Sequence, residues 1–254
     1  MRRYNDMEIR VALSMTKGVT PALLRRLAEE DIELGKLFGG NVRSILESIG
    51  ARPNALFDIE LGEAMSRARR EVEFMEHHNI EGLFILDDDY PVRLTDVPDA
   101  PILLYKLGNA DLNNSRMISM VGTRMATPRG LALTRQYVEE MAESFSGVGI
   151  VSGLAYGIDA AAHSAAIDAG LPTIGVLAHG LQMIYPAANR ELATRILSTG
   201  GALLSEYPFG TKPYRGHFLE RNRIVAGLSD VTIVMESDIK GGAMSTARCA
   251  DEYN

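Results

Sequence analysis

The chain has 254 residues, 46% of them hydrophobic, with one cysteine, no tryptophan and a formal charge of −7. That length suits two domains, and a lone Cys249 excludes an internal disulfide or a cysteine-rich metal site, in keeping with a reducing, cytoplasmic setting. No apolar run reaches the length of a membrane span, and the acidic total is uneven: residues 57–99 hold twelve acids against four bases, leaving the rest of the chain at +1.

Residues 5–50 read as short helices. Met7, Ile9, Val11, Ala12 and Leu13 come first, then a turn in which Thr20 caps a helix and Pro21 takes its first position. Leu23, Leu24 and Leu27 follow, and Gly39-Gly40-Asn41 marks another start before Val42, Ile45, Leu46 and Ile49. Short helices joined by glycine turns resemble a sterile-alpha-motif or helix-hairpin-helix module. Such modules grip DNA backbone or pack on proteins, and without an excess of bases the packing role is favoured here. A longer helix from about Asp58 to His78 bridges onward, with Met65, Ala68, Val72 and Met75 inward and the two histidines suiting the negative end of its dipole. The domain boundary is expected here, 1–78 against 79–254.

Gly82–Leu86 reads as a strand and Ile102–Tyr105 as another. Between them Asp87-Asp88-Asp89 lacks the ligand alternation and closing glutamate of a calcium loop, so a solvated turn is expected and no metal. From Met117 the pattern alternates. Strands near 117–121, 148–151, 173–177, 202–205 and 231–235 are separated by helical stretches, which predicts an α/β fold with a Rossmann-type, doubly wound, mostly parallel sheet. Such sheets bind ligands at the carboxyl edge.

That edge receives several small-residue turns. Gly122-Thr123-Arg124 follows the first strand and Ser152-Gly153 the second, so glycines admit an oxyanion to free N–H groups while Arg124 adds a charged fork. Asn189 and Arg190 lie beyond the third strand, and Gly241-Gly242 with Ser245 and Thr246 beyond the last. Residues 208–225 set Lys212, Arg215, Arg221 and Arg223 among Phe209, Tyr214 and Phe218, the pattern for phosphate tracking with base stacking. A dinucleotide fingerprint and a Walker loop are both missing, so no cofactor is expected. His163 has no nucleophile at suitable spacing and reads as structural, and Cys249 as core packing.

Taken together, Gly122-Thr123-Arg124, Ser152-Gly153-x-Ala155-x-Gly157-Ile158-Asp159, Tyr185-Pro186, Ser205-Glu206-Tyr207-Pro208, Arg221-Asn222-Arg223-Ile224 and Gly242-Ala243-x-Ser245-Thr246-Ala247 resemble, in this order, the DprA/Smf family of DNA-processing proteins. The resemblance implies an extended Rossmann fold that binds single-stranded DNA, forms a homodimer and hands the strand to the RecA recombinase during uptake of transforming DNA. It also implies a further C-terminal part, often a winged helix. Some members carry lysine after the Tyr-Pro pair where this chain has Ala187, so Arg190 or Lys212 is expected to compensate. On this reading Gly122, Thr123, Arg124, Ser152, Gly153, Asn189, Arg190, Lys212, Arg221, Asn222, Arg223, Gly241, Gly242, Ser245 and Thr246 hold phosphate, Phe209 or Phe218 stacks a base, and no residue is catalytic. The rival is an enzyme similar to the phosphoribohydrolases related to lysine decarboxylase-like proteins, or a mononucleotide-binding relative. Gly241–Thr246 echoes their glycine-rich loop, but Cys249 stands where those enzymes need glutamate.

Overall fold

The structure is a computed structural model that describes residues 5–39, 42–51 and 61–253. They form two compact units, Met1–Tyr90 with Pro98–Leu104, and Pro91–Val97 with Tyr105–Asn254. Residues 79–90 thus go with the helices, where the sequence reading drew its line at residue 78.

In the first unit α1 (Asp6–Ser14) starts at a capping box, the Asn5 side chain accepting from the backbone and Glu8 returning the bond. Thr20 accepts from Leu23 N–H to start α2 (Pro21–Glu29), as its place before proline predicts. With α3 (Val42–Ser48) these helices bury Leu13, Leu24, Leu27 and Leu46. The expected start at Gly39-Gly40-Asn41 lies partly outside the described residues. Helix α4 (Leu61–His78) buries Met65, Ala68, Val72 and Met75, the face that its spacing predicts, and the His77 and His78 rings donate to the carbonyls of Glu73 and Phe74. Strand β1 (Glu81–Phe84) leads to the aspartates. Asp87 is less solvated than expected, because Arg10 holds its carboxylate at 2.6 Å.

The second unit opens with α5 (Val92–Thr95), and β2 (Leu103–Gly108) enters it at Tyr105. Alternation then begins: β3 (Arg116–Gly122), α6 (Pro128–Ser144), β4 (Val148–Ser152), α7 (Ile158–Asp168), β5 (Thr173–Leu177), α8 (Arg190–Ser198), β6 (Ala202–Ser205), α9 (Arg215–Gly227), β7 (Val231–Glu236) and α10 (Ala243–Tyr253). The strands lie in the order β2-β6-β5-β4-β3-β7. All neighbours are parallel except β2, which runs against β6 with Tyr105 opposite Ser205. Central strands β4 and β5 are buried at every position, so they read as continuous apolar runs instead of alternating ones. Met120, Val138, Met141, Val148, Ile150 and Ala162, Ala165 and Ala166 of α7 form one core cluster, and Leu154, Leu177, Leu192, Ile196 and Leu203 another.

From β3 the chain winds outward through β4, β5 and β6, then returns to place β7 on the other side of β3. The carboxyl ends of β3 and β7 therefore form the switch point, where the connections diverge to opposite faces and leave a crevice.

Candidate functional site

A cavity of about 730 Å³ opens at that switch point. Its walls are the turn after β3 (Gly122, Thr123, Arg124), the turn after β4 (Gly153, Ala155), the inner side of α9 (Phe218, Arg221, Asn222) and the start of α10 (Gly241, Gly242, Ser245, Thr246, Arg248).

These turns are laced together through backbone contacts. A bulge between Val121 and Gly122 ends the β3–β7 ladder, after which Thr123 N–H donates to Glu236 O at 2.6 Å and Thr123 O accepts from Ile158 N–H at 3.2 Å. Gly157, with φ of +75°, lies so close to the Thr123 carbonyl that a Cβ would overlap it. The start of α7 is thereby pressed against the Arg124 turn.

Two helix starts at this edge hold carboxylates of the chain itself. Thr127 caps α6 through Gly130 N–H, and Glu236 accepts from Thr127 N–H at 3.0 Å and from its hydroxyl at 3.1 Å. A Cβ on Gly130 would overlap that carboxylate. At α7, Asp159 accepts from Ala155 N–H at 3.3 Å. Each carboxylate sits where a helix attracts an anion. Helix α10 differs. Gly241 N–H is taken by Asp238 O, but the N–H groups of Gly242 and Ala243 have no acceptor among the described residues, and Asp238, Lys240 and Arg248 line the cavity with this turn. Asn222 holds this turn by donating to Gly242 O at 3.3 Å.

Arg124 is exposed, with its guanidinium carbon 5.0 Å from the centre of the Phe218 ring and no carboxylate in ion-pair range among the described residues. Arg221, expected to share its role, also lines the cavity but is placed differently. Only 4% exposed, Arg221 donates to Gly153 O at 2.6 Å and also to Val176 O, so it forms the floor of the cavity and ties β4 to β5. Burial pushes the Asp159 carboxyl up from its ordinary range, and the charge of Arg221 pulls it back. His163 lies beneath, its Nδ1–H donating to Thr173 Oγ1 at 2.7 Å while that hydroxyl donates to Ile150 O at 3.0 Å. Burial and then Arg221 lower its pKa to about 3, so the ring is neutral and structural, as the sequence reading expected.

The other expected site residues divide. Gly122, Thr123, Arg124, Gly153, Phe218, Asn222, Gly241, Gly242, Ser245 and Thr246 meet in the cavity. Ser152 does not line it: its hydroxyl is buried and donates to Met120 O at 2.6 Å, joining β4 to β3. Asn189 spends its amide on the carbonyls of Leu154 and Ala155 and so shapes the second turn from behind. Arg223 is half-buried in an ion pair with Glu206, which removes it from the expected phosphate track. Arg190 and Lys212 are exposed outside the cavity walls. Arg215, named in the basic stretch 208–225 but not among the expected site residues, lines the cavity, as do Lys240 and Arg248, which the sequence does not single out. Arg248 follows Ser245 by three positions and Arg215 precedes Phe218 by three, so helical spacing from residues already singled out was the available signal.

Chemically, the cavity presents cations, exposed amides, the rings of Tyr185 and Phe218 and the carboxylates of Asp159 and Asp238, with no histidine or cysteine among the described residues that line it. That set can neutralise and orient an anion with a planar group attached.

Residues 81–254 match the family model of DNA recombination-mediator protein A. The chain is 40% identical to Protein Smf of Synechocystis, over 96% of this chain and 62% of that protein, and 39% identical to the DNA processing protein DprA of Streptococcus pneumoniae, over 92% and 80%. It therefore spans less than two thirds of the Synechocystis relative. Its fold is similar to the X-ray structure of Streptococcus pneumoniae DprA, with a TM-score of 0.78 and 32% identity over 100% of this chain and 85% of the other. A Helicobacter pylori DNA processing protein A, described for its single-stranded DNA binding mode, is similar with a TM-score of 0.61 and 34% identity over 70% and 78%. The family that the motif order resembles is thus the one that residues 81–254 match, and the protein belongs to the DNA recombination-mediator protein A (DprA/Smf) family.

Proposed function

We propose that the second unit binds single-stranded DNA by its phosphates at the β3–β7 switch point and does not cut it. The observation that carries this reading is the exposed, unpaired guanidinium of Arg124 over Phe218, facing a cavity whose α10 wall offers open N–H groups. A phosphate bridging Arg124 and the α10 start leaves its base beside Phe218. The starts of α6 and α7 already have side-chain acceptors in Thr127, Glu236 and Asp159, whereas the N–H groups of Gly242 and Ala243 are open among the described residues, which directs the anion to α10. Lys240, Arg215 and Arg248 extend the positive rim. The Helicobacter pylori relative described as binding single-stranded DNA supports the ligand class.

Membership of the family also supports a finer reading: a homodimer in the cytoplasm that protects incoming single strands and delivers them to a RecA-type recombinase. Among the described residues no helix is long and apolar enough to cross a membrane.

The test is a fluorescence anisotropy titration of matched single- and double-stranded oligonucleotides with wild type and Arg124→Glu. Preferential binding of the single strand, lost in the variant with unchanged circular dichroism, is expected. Equal affinity of the two proteins removes Arg124 from the mechanism. Incubation with nucleoside monophosphates distinguishes the enzymatic rival, for which free base accumulates; none is expected here.

A further inference from the structure

We propose that Tyr214 forms a second base-stacking platform, just outside the cavity, for the nucleotide next to the one held at Arg124. This assignment rests on the single-strand reading above and extends the strand's path along the first turn of α9.

The ring is both exposed and held. Tyr214 is the N-cap residue of α9, with an extended backbone, and makes no capping bond through its side chain. Its side chain is 68% exposed. One edge of the ring lies close to Gly216, where an added Cβ would come within 3.1 Å of Cε1 and 3.3 Å of Cδ1, so the glycine makes room for the ring at the helix start. His217 meets it edge-on, with centroids 5.5 Å apart and planes at 73°. His217 is itself stacked on Tyr207 at 4.3 Å, and the Tyr207 hydroxyl donates to Glu220 at 2.8 Å. A chain of contacts therefore fixes the Tyr214 ring while leaving a face to solvent. Holding an aromatic surface in place beforehand removes ordering cost on binding.

Phe218 alone is a limited platform. Arg124 stands over its ring at 5.0 Å, and the Tyr185 ring is tilted against it at 5.7 Å. Tyr214 has a ring neighbour in His217 but no cation over it among the described residues. It lies one helical turn before Phe218, and its two chain neighbours Pro213 and Arg215 line the cavity, so a strand leaving the cavity along α9 reaches this ring next. Arg215 and Lys212, both exposed, bracket the ring with the charge needed for the adjoining phosphates. Cations on either side of an exposed aromatic are the pattern by which sequence-tolerant single-strand sites alternate phosphate contact with stacking. Thymine suffices as a partner, because every base has a π face.

The test compares wild type, Tyr214→Ala and Tyr214→Phe on two fluorescent probes of equal length, an oligothymidylate and an abasic sugar–phosphate polymer. On the oligothymidylate Tyr214→Ala should weaken binding by about tenfold, the scale of one lost base stack, while Tyr214→Phe binds as wild type does. On the abasic polymer all three should bind alike, because no charge has been removed. Tyr214→Ala binding oligothymidylate as tightly as wild type overturns the platform and leaves the phosphate site standing. So does an equal loss on both probes. A wild type that binds neither probe overturns the single-strand reading together with this inference.

Discussion

Arg124, in the turn after β3, and Phe218, on α9, are nearly a hundred positions apart, and the guanidinium carbon of one lies 5.0 Å from the ring centre of the other. The ring supports the cation from below while leaving the in-plane N–H groups free to donate, which prepares Arg124 for an oxyanion. Phe218→Ala is therefore expected to remove both a stacking surface and the support of Arg124, weakening single-strand binding by about tenfold. Adding Arg124→Ala should cost less than it does in the wild type, by about 0.5–1 kcal/mol. A double-mutant cycle read by anisotropy checks this. Strict additivity would show the two side chains acting independently.

Glu236 brackets the Arg124 turn, its carbonyl accepting from Thr123 N–H at 2.6 Å and its carboxylate from Thr127 N–H at 3.0 Å. Glu236→Ala leaves the first bond and frees the far end of the turn. The expected outcome is a loss of stability of about 1–2 kcal/mol by urea denaturation. A several-fold loss of single-strand affinity should accompany it, although no residue facing DNA has changed. Glu236→Gln, which keeps an acceptor, should recover most of both.

Buried Arg221 serves the fold. Its removal in Arg221→Ala strands the carbonyls of Gly153 and Val176 and deprives Asp159 of its compensating charge, with an expected cost of roughly 3–5 kcal/mol in chemical denaturation. Arg221→Lys should restore little, since an ammonium cannot span both carbonyls as the planar fork does. A variant as stable as wild type would return Arg221 to the list of ligand contacts.

The pH dependence follows from His163. Its folded-state pKa lies at about 3, below its ordinary 6.5, so between those values the unfolded chain takes up a proton that the folded chain refuses. Stability from this group is complete above pH 6.5 and is lost as pH falls toward 3. Burial raises Asp159 and gives an opposing slope in acid, so the comparison must be made against His163→Gln. From pH 6.5 to 4.5 the stability advantage of wild type over that variant should shrink by roughly 2 kcal/mol. Parallel stability curves would mean that the ring is reached by solvent protons in the folded state.

Much of this was legible in the residues. Strand periodicity placed β3 through β7 to within a residue or two, because a parallel sheet buried on both faces leaves unbroken apolar runs between helix signals. Small residues after those strands marked the edge at which the cavity opens. What could not be read was the state of each cation. Arg221 and Arg223 look alike in a stretch of alternating bases, yet one lies under two carbonyls and the other against Glu206, while Arg124 stands open. Their partners come from β4, β5 and the segment after β6, distant in sequence, so charge spacing alone carries no trace of them. The closing of the α6 start by Glu236 was equally hidden, since its acceptor arrives from the last strand. The antiparallel course of β2 also left no mark in its short apolar run.

Salt dependence tests the phosphate grip of Arg124 most directly. Binding of an oligothymidylate by wild type and by Arg124→Ala should be measured across a salt series, and the slope of log affinity against log salt compared. If Arg124 neutralises a phosphate, the variant's slope is shallower by about 0.7. An unchanged slope would contradict that role, however much the affinity itself had fallen.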